Sequence, residues 1–320
     1  MTLHPTAPGM ESAKFRDPVF TAKGERRATI GLKALRTLWF NTGTLCNIEC
    51  GHCYIESSPG NDRLAYLTLA EMFPFIEEIA ARRLPVREIG FTGGEPFMNP
   101  DCCAMIGAAL EGGFTALVLT NAMRPMMRPR VQRDLLALGR SFGGRLTLRV
   151  SLDHYTERLH DAERGAGSWV ETMKGLRWLS EHGFTLAIAG RRRWEESTHD
   201  LRRGYGELFV RERLDIDSEN PASLVLFPEM DASVDVPEIT VDCWRLLNVD
   251  PADVMCATSR MVVKRKGAAR PTVVACTLIP YDAQFEFGTT LAEADRDVAL
   301  NHPHCAKFCV LGGGSCSAAG

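Results

Sequence analysis

The eleven cysteines of this 320-residue chain are grouped, and the grouping limits what the chain can fold into and bind. Three of them form a short pattern, Cys46-x3-Cys50-x2-Cys53. Disulfides do not persist in a reducing compartment, and an odd number of cysteines leaves one thiol over in a complete disulfide framework. The second group lies near the C-terminus and consists of Cys256, Cys276, Cys305, Cys309 and Cys316. Because grouped thiolates are typical ligands of zinc and of iron–sulfur clusters, the sequence indicates two metal-binding regions.

The composition excludes several classes of protein. The chain is 45% hydrophobic and 24% charged, with a formal net charge of -3 and a pI near 6.3, so it is neither disordered nor strongly basic. We therefore expect no nucleic-acid partner. No apolar run approaches the ~18 residues of a membrane helix, and the N-terminus lacks the apolar centre of a signal peptide. These observations predict a cytoplasmic protein without a membrane partner.

The middle of the chain alternates between strand and helix patterns. The predicted helices include one that begins at the capping box Thr68-x-x-Glu71, and the alternation implies parallel strands with right-handed crossovers. We predict an α/β fold, a partial (β/α)6 TIM-like barrel whose active site lies at the carboxyl ends of the strands. The six predicted strands span residues 35–41, 88–92, 116–120, 145–151, 184–189 and 223–227.

The predicted barrel is one of three regions of the chain. Residues 1–34 form an irregular leader, and residues 35–235 form the barrel. Residues 236–320 form a small, loop-rich, cysteine-rich C-terminal domain. Because so small a hydrophobic core provides little stability by itself, we expect a metal centre to stabilise this domain.

The first cysteine group follows the first predicted strand, at the catalytic end of the barrel. Three closely spaced thiolates can hold one small inorganic centre and leave one metal position open, whereas structural zinc and a saturated [4Fe–4S] cube each take four ligands. A zinc knuckle with a distant fourth ligand, or a loop of unliganded thiols, is the alternative.

A C-x3-C-x2-C pattern directly after the first strand is typical of the radical S-adenosylmethionine (radical SAM) enzymes, and the chain resembles them over about residues 35–230. The resemblance implies that Cys46, Cys50 and Cys53 hold a catalytic [4Fe–4S] cluster whose open iron chelates the methionine part of SAM. It also implies reductive cleavage of SAM to a 5′-deoxyadenosyl radical, which abstracts hydrogen from a substrate. The protein then orients the reactants and excludes water.

Other strand ends resemble the SAM-binding motifs of that superfamily. Gly93-Gly94-Glu95-Pro96 matches the family's GGE motif, in which the glycines admit a ligand close to the backbone and Glu95 accepts from the SAM ammonium. Ser151 and Asp153 match positions that face the SAM ribose or carboxylate. The alternatives are a generic turn for the glycines and a helix cap for Ser151-x-Asp153.

Three further residues extend the resemblance less specifically. Asn121 ends the third strand near the expected ribose, although Asn there is also an ordinary turn residue. Tyr54 follows the last cysteine and is expected beside the adenine. The strand-five motif fits poorly, since only Ile188 and Gly190 match it, but it assigns Ile188 to the adenine pocket. The arginines that follow, residues 191–193, either hold an anion or form a solvated charge run.

The C-terminal cysteines resemble the twitch extension, a shortened relative of the SPASM domain that holds an auxiliary iron–sulfur cluster. The resemblance makes Cys256, Cys276, Cys305, Cys309 and Cys316 candidate ligands of that cluster. One cube takes four of these five, and the sequence does not say which is spare. The alternatives are a zinc site, which His302 or His304 could join, and unliganded thiols.

The resemblance predicts a radical SAM oxidoreductase or maturase that uses SAM, one catalytic cluster and one auxiliary cluster. Its substrate would be a small molecule or a peptide, and the short segment before the first strand favours a small molecule or a peptide that needs no leader. An auxiliary cluster would favour a net oxidation or cross-linking. An external donor such as flavodoxin or ferredoxin would supply electrons. The alternatives are an iron–sulfur electron carrier or sensor, and a zinc-stabilised binding protein, on the same scaffold.

Overall fold

The fold is built on one eight-stranded sheet. The computed structural model describes residues 14–229 and 234–314. The strand order is β7-β6-β5-β4-β3-β2-β8-β9, and every neighbouring pair is parallel except β8 and β9. A separate antiparallel pair joins β1 to β10. The strands are β1 Thr29–Ile30, β2 Thr37–Asn41, β3 Glu88–Thr92, β4 Thr115–Thr120, β5 Leu146–Ser151, β6 Thr185–Arg192, β7 Leu224–Pro228, β8 Ser259–Val263, β9 Thr272–Val274 and β10 Val298–Ala299.

Helices connect the parallel strands. None of the helices in the described part of the chain is long and apolar enough to cross a membrane. A six-residue π-helix, Cys305–Val310, follows β10. The α-helices are α1 Leu69–Arg82, α2 Cys102–Glu111, α3 Pro129–Phe142, α4 Glu157–Arg164, α5 Ser168–Glu181, α6 Thr198–Glu212 and α7 Cys243–Leu247.

Local sequence signals explain where several of these elements begin. Thr68 caps α1, and its side chain and that of Glu71 form the predicted capping box. Ser197 caps α6 in a similar way, since its side chain accepts from the Asp200 N–H. The six predicted strands correspond to β2–β7 and are all parallel, which confirms the α/β prediction. The sheet is open in this order, as a partial barrel requires.

The two faces of the sheet have different surroundings because side chains alternate along each strand. Leu38 and Phe40 of β2 and Val118 of β4 pack on the helix side, in the main core. Trp39 and Leu117 point to the other face and belong to a second apolar cluster. The residues that build the site lie on this second face, at its carboxyl edge.

The C-terminal part adds two strands to the sheet, which the sequence analysis did not predict. β8 lies parallel beside β2, with Leu38 opposite Arg260, and β9 continues the sheet antiparallel to β8. β8 is buried along its whole length. Residues 259–263 and 272–274 are too short to show a period, and they lie between loops, so pattern alone did not identify them.

Candidate functional site

A cavity of about 150 Å³ opens at the carboxyl ends of the strands. It brings together nine of the residues that the sequence analysis proposed for the first cluster and for SAM. The polar groups around it come from five different strand ends and from the loop after β2. These nine residues are Cys46, Cys50, Cys53, Tyr54, Gly93, Gly94, Asn121, Ser151 and Asp153.

The cysteine loop is anchored to α4 by one glutamate. The Gly51 N–H donates to the Glu163 backbone carbonyl at 2.9 Å, and the His52 N–H donates to the Glu163 carboxylate at 2.8 Å. The Ser57 N–H donates to Cys53 Sγ at 3.3 Å. Glu163 therefore positions the loop that carries the cysteines. Nothing in the sequence singled it out, because its partner His52 lies 111 residues earlier in the chain.

Burial favours the protonated form of two of these thiols. Desolvation raises the pKa of Cys46 to about 12, and it also raises the pKa of Cys50. A thiolate is the form that binds iron, so metal binding at Cys46 and Cys50 must displace protons. These two cysteines are therefore poor free nucleophiles.

Gly93 and Gly94 let two backbone segments meet. A Cβ on Gly94 would lie 2.2 Å from the Leu45 carbonyl oxygen, and Gly93 has a φ of 151°. The Gly94 N–H donates to the Gly43 carbonyl at 2.8 Å, and the Glu95 N–H donates to the Leu45 carbonyl at 3.2 Å. Any side chain at residue 94 would push the loop after β3 away from the cysteine loop.

Glu95 lies beneath the cavity and does not line it. Its carboxylate, 1% exposed, accepts from the Thr120 hydroxyl at 2.8 Å, from the Asn121 N–H at 2.8 Å and from the Phe97 N–H at 3.2 Å. Burial raises its pKa to about 7, and these bonds oppose that rise. Oε1 accepts two of these bonds and Oε2 accepts one, so the contact of this carboxylate with a SAM ammonium stays a prediction. Glu95 also fixes the end of β4.

Asn121 stands at the cavity wall in a fixed orientation. Its side-chain amide donates to Asn47 Oδ1 at 2.9 Å, and its oxygen accepts from the Met123 N–H at 3.0 Å. The Thr172 hydroxyl donates to its backbone carbonyl. The residue therefore bridges β4, the cysteine loop and α5.

Asp153 carries a buried negative charge between two arginines. Arg164 meets it through two N–H bonds, at 2.7 and 3.1 Å, and Arg191 Nε lies 3.2 Å from it. Burial alone would raise the pKa of Asp153, but the two guanidinium groups lower it to about 2. Both arginines also line the cavity. Arg191 is one of the three arginines, residues 191–193, that the sequence analysis considered as anion-binding residues. The sequence analysis missed Arg164.

Ile188 does not reach the cavity. It is fully buried on the helix side of β6, and its neighbour Ala189 lines the cavity instead. The motif assigned the wrong face because adjacent strand residues point to opposite sides of the sheet. Tyr54 does line the cavity, and the Arg191 guanidinium lies 4.8 Å from the centre of its ring.

A second, smaller cavity gathers the C-terminal cysteines. It is apolar apart from the thiols and one imidazole, that of His304, whereas His302 does not line it. Cys316 lies outside the described residues. Leu278 lines both cavities, so the two share a wall. The four cysteines in this cavity are Cys256, Cys276, Cys305 and Cys309.

The sequence profile of the radical SAM superfamily matches residues 40–191, the segment that holds the cysteine loop and β2 to β6. The chain therefore carries a radical SAM domain.

Curated relatives agree with this family. The chain is 30% identical over 145 residues to the antilisterial bacteriocin subtilosin biosynthesis protein AlbA of Bacillus subtilis, covering 45% of this chain and 30% of AlbA. It is 30% identical over 157 residues to the mycofactocin maturase MftC of Mycobacterium ulcerans, covering 49% of this chain and 40% of MftC. The chain thus matches less than half the length of these relatives.

Solved structures support the fold. Streptococcus suis SuiB bound to S-adenosylmethionine aligns with a TM-score of 0.57 at 14% identity, over 80% of this chain and 63% of that one. The anSMEcpe structure with bound AdoMet aligns with a TM-score of 0.56 at 11% identity, over 83% of this chain and 81% of that one.

Proposed function

We propose that this chain cleaves SAM reductively at a [4Fe–4S] cluster and uses the resulting radical to oxidise or cross-link a peptide, with a second cluster held by its C-terminal part. The observation that supports this most is the first cavity. It combines three thiols with the Gly93-Gly94 turn, Asn121, Ser151 and Asp153 at adjoining strand ends.

The residues around the first cavity fit the cluster and SAM. Cys46, Cys50 and Cys53 would be the cluster ligands. When bound, the cluster would supply one electron to SAM, and SAM would supply the 5′-deoxyadenosyl radical that abstracts hydrogen. Ser57 Oγ is buried in the cavity wall and has no hydrogen-bond partner among the described residues. Because buried polar atoms normally have a partner, a ligand bound in the cavity would supply one here.

The charges of this cavity suit the carboxylate of SAM. Arg164 and Arg191 line the cavity and both pair with its one lining carboxylate, that of Asp153. Arg191 Nη1 is buried and has no hydrogen-bond partner in the described chain, although Glu163 lies 3.7 Å away. We assign to these arginines the binding of the SAM carboxylate, and to Asn121 and Ser151 the binding of its ribose.

The second cavity supplies the ligands that one cube takes. Four cysteines line this apolar cavity, and a [4Fe–4S] cube is held by four thiolates. Tetrahedral zinc takes the same number of thiolates, with Zn–S bonds of ~2.3 Å, so the metal content of the chain decides between the two centres.

The shared wall supports a redox role for the second centre. Leu278 separates the two cavities, and the Tyr54 ring packs edge-on against Phe308 with 6.2 Å between ring centres. Tyr54 follows Cys53 in the chain, and Phe308 precedes Cys309. A centre behind this wall would lie close enough to accept the electron that a substrate radical gives up, which favours a net two-electron oxidation.

We propose a peptide substrate because the relatives are named for peptide-related biosynthesis: AlbA for a bacteriocin, and MftC for a maturase. SuiB has also been solved with a precursor peptide.

An external one-electron donor such as flavodoxin or ferredoxin would reduce the first cluster. The reducing cytoplasm is the compartment we propose, because eleven cysteines there remain available to metals.

The cluster content tests the two-centre proposal. After anaerobic reconstitution we expect about eight irons and eight sulfides per chain. Cys50→Ala and Cys276→Ala should each hold fewer irons by about four, and Cys103→Ala, outside both cavities, should match the wild type. About four irons together with one zinc per chain would contradict the second cluster and leave the first intact.

The substrate class is tested with short peptides encoded beside the gene. We expect incubation with SAM and a reductant to remove two hydrogens from one such peptide, seen as a loss of about 2 Da by mass spectrometry. Turnover of a small metabolite, with every neighbouring peptide unchanged, would contradict the peptide assignment.

A further inference from the structure

His304 is placed to act on the second centre although it is not needed as a ligand. Its ring lines the same cavity as the four thiols of Cys256, Cys276, Cys305 and Cys309. It directly precedes the π-helix that carries two of those cysteines.

The imidazole of His304 packs against His302, which does not line the cavity. Its backbone N–H donates to His302 Nδ1 at 3.1 Å, and the two rings meet edge-on with 4.6 Å between centres. This local contact limits how far the His304 ring can turn.

Nδ1 of His304 is buried and has no hydrogen-bond partner among the described residues. Buried polar atoms without a partner are rare in folded proteins, and each one calls for an explanation. Here the atom belongs to a residue in the wall of a cavity that otherwise offers apolar groups and sulfur. A sulfur-rich group bound in the cavity would supply the missing partner.

Four cysteines already provide the four ligands of one cube, so the role left for the imidazole is that of a hydrogen-bond donor. We propose that His304, in the neutral tautomer that carries its proton on Nδ1, donates this N–H to a sulfur of the second cluster and thereby raises the reduction potential of that cluster. This inference rests on the second cluster of the proposed function. Hydrogen bonds to cluster sulfurs stabilise the reduced, more negative state, and are one of the means by which proteins set the potential.

The consequence for the reaction concerns the direction of electron flow. A higher potential at the second centre makes it a better acceptor for the electron left on a substrate radical. His304 would therefore be a positioning residue for the redox step, acting through the cluster without touching the substrate.

The test compares three variants by redox titration of the second cluster, followed by EPR. His304→Leu removes the donor, and His304→Asn places an amide N–H close to the position of Nδ1. His182→Asn is the matched control, because His182 is exposed at the end of α5 and contacts neither His304 nor the cavity. To isolate the second cluster, each change is also made in a Cys50→Ala background.

We expect His304→Leu to keep its iron and to shift the reduction equilibrium at least tenfold towards the oxidised cluster, which is a fall of about 59 mV for a one-electron couple. His304→Asn should recover most of the lost potential, and His182→Asn should leave the potential unchanged. An exchangeable proton coupled to the cluster should be lost only in His304→Leu.

Two results would overturn the inference while leaving the second cluster standing. One is an unchanged potential in His304→Leu with full iron content. The other is a strong nitrogen coupling in the wild type, which would make His304 a ligand of the cluster and not a donor to its sulfur. A wild-type chain with only about four irons would instead remove the second cluster itself, and this inference with it.

Discussion

Asp153 remains charged inside the first cavity because it pairs with the guanidinium groups of Arg164 and Arg191. Its replacement should therefore lower the free energy of unfolding. Asp153→Asn keeps one oxygen but turns an amide N–H₂ towards Arg164 and Arg191, leaving buried positive charge uncompensated. Breaking a buried ion pair on one side costs about 3–5 kcal/mol. We expect the free energy of unfolding to fall by about that amount in urea titrations. Asp134→Asn is the control, since Asp134 and its partner Arg130 are exposed and 3.8 Å apart; an equal loss in both variants would contradict the account.

His160 gives the chain an acid-sensitive step. It is fully buried, both ring nitrogens lack partners in the described chain, and burial lowers its pKa from 6.5 to about 4. Between these two pKa values the unfolded state binds a proton at His160 and the folded state does not. The contribution of the neutral imidazole to the free energy of unfolding is therefore fully present above pH 6.5 and is lost as the pH falls towards 4. At 1.36 kcal/mol per pKa unit the loss is about 3 kcal/mol.

The measurement is the difference in unfolding free energy between the wild type and His160→Phe across this pH range. We expect the wild type to lose about 3 kcal/mol more than the variant does, since other titrating groups are common to both. His199→Phe, at an exposed site, should behave as the wild type. Parallel pH curves for wild type and His160→Phe would show that the imidazole is already charged or solvated in the folded state.

Sequence analysis found the site residues that form local motifs and missed those defined by contacts between distant parts of the chain. The cysteines and Gly93-Gly94 were found because metal binding and close backbone approach demand those residue types at fixed spacing. Glu163 and Arg164 were missed because ion pairs across the fold leave no local pattern. Ile188 was assigned to the cavity by motif, but its strand turns it to the helix side.

The turn after β3 controls the geometry of the cysteine loop. In Gly94→Ala the new methyl would meet the Leu45 carbonyl, which is backbone and cannot move without moving the loop. We expect this variant to lose at least tenfold in SAM affinity by equilibrium dialysis. The control is Gly60→Ala, in the loop after β2, where nothing lies within 4 Å of the added carbon; it should bind SAM as the wild type does. Wild-type affinity in Gly94→Ala would mean that the close approach does not shape the site.

Elements with strong local signals were predictable, and those defined by tertiary contacts were not. The capping box at Thr68 and the continuous apolar run of β4 predicted their elements within a residue or two. α4 is only eight residues long, has mostly polar residues and is held by the loop it anchors, so sequence analysis did not identify it. β8 is identified by its pairing with β2, which no local window contains.

At the scale of the molecule, the C-terminal part completes the sheet as well as carrying cysteines. β8 covers the edge of β2, and Glu238 pairs with the buried Arg27 at 2.5 Å. We expect a chain ending at residue 235 to be insoluble or to lack a cooperative thermal transition, because the β2 edge would be exposed. A truncated chain that melts cooperatively near the full-length temperature would show that the barrel folds independently.

The central claim is that this site cleaves SAM reductively, and the most direct measurement is 5′-deoxyadenosine formed by the anaerobically reconstituted full chain with SAM and dithionite. The account predicts 5′-deoxyadenosine from the wild type and none above background from Cys50→Ala, whose second cysteine group is untouched. No 5′-deoxyadenosine from wild type that holds its iron would contradict the account and favour an iron–sulfur carrier or sensor on this fold.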